Sequence, residues 1–322
     1  MDALIPPSIP GGVLGILHPD GHRTLHAEGL AQREPNEIPM REDTIFDLAS
    51  LTKVIFTTTA ILKHVEADRI ALDDTLATVI PDLRQYDPSA AERRLTFRQC
   101  LAHQTHLPAV EPLYTYGQTP QTLRAFILQR QWRPGPPVYS DLNFILLGIA
   151  LERLTGRPLT DHTPPPGFSF HPNPAECAAT ERCTWRGRVL RGEVHDENAA
   201  ALQGAGHAGL FGPAAALLDF AASLLDGTLL RPATIATMRT PHSATRALGW
   251  EIAHPGWSGG DACSAETLGH TGFTGTGLWI DFAANRAWTL LTNRVHPSRH
   301  TDSGIATLRK RVGERVSTGD LR

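Results

Sequence analysis

The sequence predicts an α/β protein, α+β in arrangement: a mainly antiparallel sheet built from both chain ends, flanked by helices, with a mostly helical region inserted between them. Three observations predict it: a hairpin pattern near each end and helical periodicity in the middle.

Near the N-terminus, strand-like runs at Gly12–His18 and His22–His26 flank Pro19-Asp20-Gly21, and Asp-Gly suits a tight hairpin turn. Near the C-terminus, Thr276–Asp281 and Ala287–Thr292 flank Ala283-Ala284-Asn285 and predict a second hairpin. Between them, Leu142–Leu154 ends at Gly156 and Ala214–Leu225 ends at Gly227, where glycine supplies a left-handed cap. Gly304–Val316 reads as a last helix. Pro164-Pro165-Pro166-Gly167 marks a loop, and Cys177–Arg191 has no clear period. The expected division is a sheet region, 1–66 with 206–322, and an inserted region, 67–205, in one compact catalytic unit.

A chain of 322 residues can bury a large core without disulfides. With 41 % hydrophobic and 20 % charged residues, and 30 basic against 33 acidic side chains, it has the profile of an ordinary globular protein. That balance gives no electrostatic footprint for nucleic acid. No stretch approaches the roughly 20 apolar residues of a membrane span. Met1–Pro7 lacks a basic start and an apolar run, so no signal peptide is expected and the expected location is cytoplasmic, with four reduced cysteines. Cys177, Cys183 and His171 lack zinc-site spacing, and neither metal nor cofactor is expected.

After the strand-like Thr44–Leu48 comes Ser50-Leu51-Thr52-Lys53, then Val54–Leu62, apolar or threonine on every face. Such a helix is buried on all sides, and Ser50 stands at its start. The first turn presents unpaired N–H groups and partial positive charge, which favour an alkoxide or oxyanion. Lys53 at i+3 shares the face of Ser50, and burial favours a neutral amine able to take the serine proton. A helix-capping serine beside a surface lysine is the competing reading of these four residues.

Two further motifs decide between them. Pro134-Gly135-Pro136-Pro137-Val138-Tyr139-Ser140-Asp141-Leu142-Asn143 and Gly269-His270-Thr271-Gly272-Phe273 follow in order. With Ser50 and Lys53 they resemble the class C β-lactamases and their relatives among DD-peptidases, esterases and amidases, over most of the chain. The resemblance implies a β-lactamase/transpeptidase-like fold and hydrolysis through a Ser50 acyl-enzyme. It implies that Tyr139 shares the proton with Lys53, that the N–H groups of Ser50 and Phe273 form an oxyanion hole, and that His270, Thr271 and Gly272 line the substrate pocket.

Three residues depart from the family pattern. Asp141 stands where asparagine contacts a substrate amide, and His270 stands where efficient class C enzymes carry lysine, which weakens fixed positive charge for a β-lactam carboxylate. His106 replaces glycine in His103-Gln104-Thr105-His106-Leu107-Pro108. The segment Gly192–Ala199, with His195-Asp196-Glu197, then Gly204–Phe211, is similar to the branch with muramyl-peptide amidases. Those charges either line a polar cleft, His195 included, or tie the inserted region to the sheet.

The expected substrates are short-chain esters or cell-wall peptide amides, with weak β-lactamase activity at most. The alternatives are an efficient β-lactamase and a non-catalytic penicillin-binding or sensor-like module. Gly256-Trp257-Ser258-Gly259-Gly260 matches a nucleophile elbow, but its flanks predict a glycine-rich loop. Oligomeric state carries no sequence signal.

Overall fold

The computed structural model describes residues 4–320. In chain order, β1 (Gly11–Leu17), β2 (Arg23–Gln32), β3 (Ile38–Pro39) and β4 (Phe46–Asp47) lead to α1 (Thr59–Glu66). The inserted part holds α2 (Phe97–Leu101), α3 (Pro120–Gln129), α4 (Asp141–Thr155), β5 (Ala179–Cys183), β6 (Arg188–Arg191) and α5 (Glu197–Leu202). The chain returns through β7 (Phe211–Gly212), α6 (Ala214–Leu225) and α7 (Pro232–Arg239). It closes with β8 (Glu251–Ile252), β9 (Thr267–Thr271), β10 (Gly277–Asp281), β11 (Arg286–Thr292) and α8 (Ile305–Thr318).

Seven strands form one antiparallel sheet in the order β3-β2-β1-β11-β10-β9-β8. The first and last strands are neighbours, with Val13 opposite Leu291 and Ile16 opposite Trp288, so both chain ends build the sheet as expected. Val13, Leu17, Leu278, Ile280 and Leu291 join the core that also contains Leu217 and Leu218 of α6. Their alternates Ile16, Trp279, Trp288 and Leu290 pack with Leu308, Val312 and Val316 of α8. Because both faces are covered, these strands read as nearly continuous apolar runs. Each fully buried aliphatic side chain contributes roughly 1.5–3 kcal/mol of burial.

Two stretches differ from a regular reading. β5 and β6 form a separate hairpin where no period was visible, because Thr180 and Glu181 are buried beside Ala179 and break the apolar-polar alternation. The helix after Ser50 opens as a buried π-helical turn over Lys53–Thr58 before α1. Thr58 and Thr59 explain it: their hydroxyls donate to the Lys53 and Val54 carbonyls, five residues back, at 2.7 and 3.1 Å. Such wide turns concentrate at functional sites. Among the described residues no helix is long and apolar enough to cross a membrane.

Candidate active site

Ser50 sits on a turn pinned from three sides. The residue before it, Ala49, is held at φ +46°, and its N–H donates to the buried Asp47 side chain at 2.8 Å. Thr276 Oγ1 donates to the Leu48 carbonyl at 3.1 Å and Thr274 Oγ1 to the Asp47 carbonyl at 2.7 Å. The β9–β10 connection thus braces the serine turn. Gly272 is required there, because a Cβ would stand 2.6 Å from the Leu48 carbonyl oxygen. The N–H groups of Ser50 and Phe273 have no acceptor among the described residues.

Lys53 is wholly buried, and its Nζ lies 2.9 Å from Ser50 Oγ, 3.1 Å from the His207 carbonyl oxygen and 2.8 Å from Asp141 Oδ1. The His207 carbonyl reaches the lysine because Gly206 packs directly on Gly148 of α4, where a Cβ would meet the Phe144 carbonyl oxygen at 2.3 Å. Burial pushes the ammonium toward neutrality, but the Asp141 carboxylate and Tyr139 outweigh it, and the Lys53 pKa is raised. The neutral amine expected from burial alone is therefore corrected by a carboxylate at contact distance.

Tyr139 and Asp141 flank the start of α4. The His103–Pro108 segment holds that start in place: the Ser140 N–H donates to His103 Nδ1 at 3.0 Å, Ser140 Oγ to the Pro108 carbonyl at 2.6 Å, and Thr105 Oγ1 to Asn143 Oδ1 at 2.8 Å. The Tyr139 ring lies between the His103 and His270 rings, at 4.5 and 5.9 Å, with Lys53 Nζ 5.0 Å from its centre.

His270 on β9 is buried, and its Nδ1–H donates to the Thr271 carbonyl at 3.0 Å, which leaves Nε2 as a bare acceptor without a partner. Burial, then Arg246 and Lys53, hold its pKa well below the usual histidine value, so it is neutral. The cleft of about 500 Å³ is nevertheless not short of positive charge. Arg246, Arg294 and Arg309 line it beside His270–Phe273. The weak fixed charge expected from His270 is thus corrected by arginines that carry no motif.

Arg309 donates to the Gly272 and Thr276 carbonyls at 2.8 and 2.7 Å, and burial pulls its pKa down to about 10. Arg294 Nε donates to the Phe273 carbonyl at 2.8 Å while its guanidinium covers the Phe273 ring. Arg246 lies 5.1 Å from the Tyr139 ring centre.

His195 serves both of the ends expected for its segment. It lines the cleft with its ring stacked on Phe273 at 5.7 Å, and its Nε2 contacts Glu181 at 3.0 Å and Arg299 at 3.3 Å. Its N–H donates to Asp47 at 2.6 Å, tying this segment to the serine turn. Burial raises the Glu181 carboxyl, but hydrogen bonds from His195 and Arg299 outweigh it and hold the pKa at about 2. Ser258 lies outside this cluster; the glycine-rich loop places its hydroxyl 3.2 Å from the Trp279 indole N–H, and no helix follows. Among the described residues no His, Cys, Asp or Glu group could hold a metal.

Of the residues expected at the site, Ser50, Tyr139, Asp141, His195 and His270–Phe273 line one cleft, and Lys53 lies buried beneath it against Ser50. Asp47, Glu181 and the arginines join them without any motif in the sequence, and His103 joins them as a brace.

The sequence pattern of the β-lactamase family matches residues 6–310. A Salmonella agona (strain SL483) protein named for D-alanyl-D-alanine carboxypeptidase activity is 31 % identical, over 79 % of this chain and 70 % of its own. The N-acetylmuramyl-L-alanine amidase of Bacillus subtilis (strain 168) is 30 % identical over 80 % of this chain and 69 % of its own. A class C β-lactamase from Rhodobacter sphaeroides superposes with TM-score 0.70 at 21 % identity, over 98 % of this chain and 95 % of its own, and shares the fold. With a family pattern spanning nearly the whole chain, a serine and a tyrosine in its cleft and a buried lysine against the serine, the protein belongs to the β-lactamase family and is a serine hydrolase.

Proposed function

We propose that Ser50 is the nucleophile of an acyl-enzyme hydrolase acting on short-chain esters or on amides of muramyl or related cell-wall peptides, with β-lactams as poor substrates. The observation that carries the reading is the 2.9 Å contact between Ser50 Oγ and Lys53 Nζ at the floor of the cleft. Ser50 attacks the acyl carbon, and Lys53 with Tyr139 moves the serine proton to the leaving oxygen or nitrogen. The unengaged N–H groups of Ser50 and Phe273 receive the oxyanion, a contribution of roughly 3–4 kcal/mol per donor. Water then attacks the ester of Ser50 and releases the acid.

The arginines beside His270 favour, within this range, an amide whose leaving fragment carries a carboxylate, which suits a peptide better than a neutral ester. The name of the Bacillus relative points the same way. Ser50 in contact with Lys53, with the Tyr139 ring centre 5.0 Å from the same Nζ, favours turnover over a binding module.

Ser50→Ala beside Ser258→Ala tests the nucleophile on p-nitrophenyl butyrate and a muramyl dipeptide. Ser50→Ala is expected to lose at least about a thousandfold in kcat/KM, with Ser258→Ala near wild type. Full activity in Ser50→Ala sinks the mechanism. Nitrocefin turned over faster than every ester and muramyl peptide tried sinks the substrate reading.

A further inference from the structure

We propose that Asp141 acts as the counter-ion of Lys53 and, through it, sets the pH at which Ser50 becomes a nucleophile, instead of binding the substrate amide. The inference rests on the reading of Ser50 as nucleophile. Asp141 Oδ1 lies 2.8 Å from Lys53 Nζ, and no other group among the described residues hydrogen-bonds to that oxygen. The same Nζ lies 2.9 Å from Ser50 Oγ, so carboxylate, ammonium and hydroxyl form one chain. An asparagine here would offer a lone pair and no charge.

The lysine side chain is fully buried and the Asp141 side chain only 21 % exposed, so solvent screens the pair weakly. Other charged or titratable groups around Lys53 do not replace it. Tyr139 comes from the same helix start, and Asp196, ahead of α5, is already bonded to His207 and the Ala199 N–H. His103 and His270 are kept neutral by burial, and Arg246 adds positive charge. Asp141 is the anion in contact with the ammonium.

An ammonium cannot accept the serine proton. Lys53 must first release one, and a fixed carboxylate beside it raises the pH at which it does so. Once Nζ is neutral, the Oγ lone pair forms the bond to the acyl carbon, the hydroxyl proton passes to Nζ, and the carbonyl π pair moves onto oxygen. Collapse of that intermediate breaks the bond to the leaving group, which takes the proton.

The test follows the rate of Ser50 labelling by a fluorophosphonate, and kcat/KM on p-nitrophenyl butyrate, from pH 5 to 10 in the full chain. Removal of an opposite charge at this distance is expected to shift the rising limb acidward by about one to three pH units in Asp141→Asn and Asp141→Ser. At a pH on the wild-type limb their labelling is then about tenfold or more faster, while Asp141→Glu moves back toward the wild-type limb. Both neutral residues suit the first turn of a helix, and near-UV circular dichroism checks their folding.

An unmoved limb with a raised KM for amides makes Asp141 a substrate ligand and overturns the proposal. Loss of fold in both neutral variants overturns it too, because the carboxylate would then be structural. If Ser50→Ala is inert and the limb is unmoved, this inference alone has failed; if Ser50→Ala still labels and turns over, the nucleophile reading has failed.

Discussion

The two walls of the cleft differ in how their charges are balanced. At the start of α4, Lys53 is matched by Asp141, and neighbouring polar groups are braced by the His103–Pro108 segment. Along β9, Arg294 and Arg309 donate only to backbone carbonyls, Arg246 covers an aromatic ring, and the nearby Glu251 is engaged by His254. The α4 wall holds its ions at fixed short distances, as proton transfer requires. The β9 wall has cations in excess, and a substrate anion would complete it.

The largest effect expected on the β9 wall comes from removing a single N–H. Phe273→Pro deletes the proposed oxyanion donor and keeps a carbonyl for Arg294, whereas Phe273→Ala keeps the donor and deletes the ring. The proline variant is expected to lose about 100- to 1000-fold in kcat and the alanine variant much less. Equal losses would mean that the ring, stacked on His195 and covered by Arg294, is what the reaction needs.

A smaller effect separates recognition from chemistry. Arg246→Ala and Arg294→Ala should each raise KM about tenfold for an amide whose leaving fragment bears a carboxylate, with kcat nearly unchanged. KM for neutral p-nitrophenyl butyrate should stay within about twofold. The difference should shrink as salt rises, because these arginines are partly exposed. Equal losses on both substrates would make the arginines part of the scaffold.

Sequence legibility divides along the same line. The terminal hairpins β1–β2 and β10–β11 are readable as apolar runs around turns and α4, α6 and α8 as helical periods, while Ser50, Lys53, Tyr139 and His270 are readable because they sit in short local motifs. Arg246 and Arg294 are not, since each lies in a connection beside a strand, and only the sheet order carries them to the cleft. Glu181 was hidden for a related reason: its partners His195 and Arg299 are distant in sequence, and its burial erased the period of its own strand. The charge of Lys53 departs from the sequence expectation because its burial is legible in the sequence and the 2.8 Å approach of Asp141 is not.

The smallest effect concerns stability in acid and involves both walls through His103 and His270. Burial holds each well below the ordinary value of 6.5, and His103 Nδ1 is committed as an acceptor to the Ser140 N–H. In the unfolded chain both histidines take up protons as the pH falls through about 6.5, whereas in the folded protein both stay neutral. The unfolded state therefore binds more protons, and stability falls on acidification by up to about 1.4 kcal/mol per pH unit for each histidine. Glu181 acts in a separate window, since its pKa is lowered to about 2: its contribution persists above about pH 4.5 and is lost only below it. Melting temperatures should thus drop by several degrees between pH 6.5 and 5, before the Glu181 window opens. His103→Gln, which stays neutral, should lessen that slope and leave the part due to His270 and to His64, His162, His242 and His296, whose pKa values burial also lowers. A flat profile over this range would mean that the folded protein accommodates these imidazolium ions.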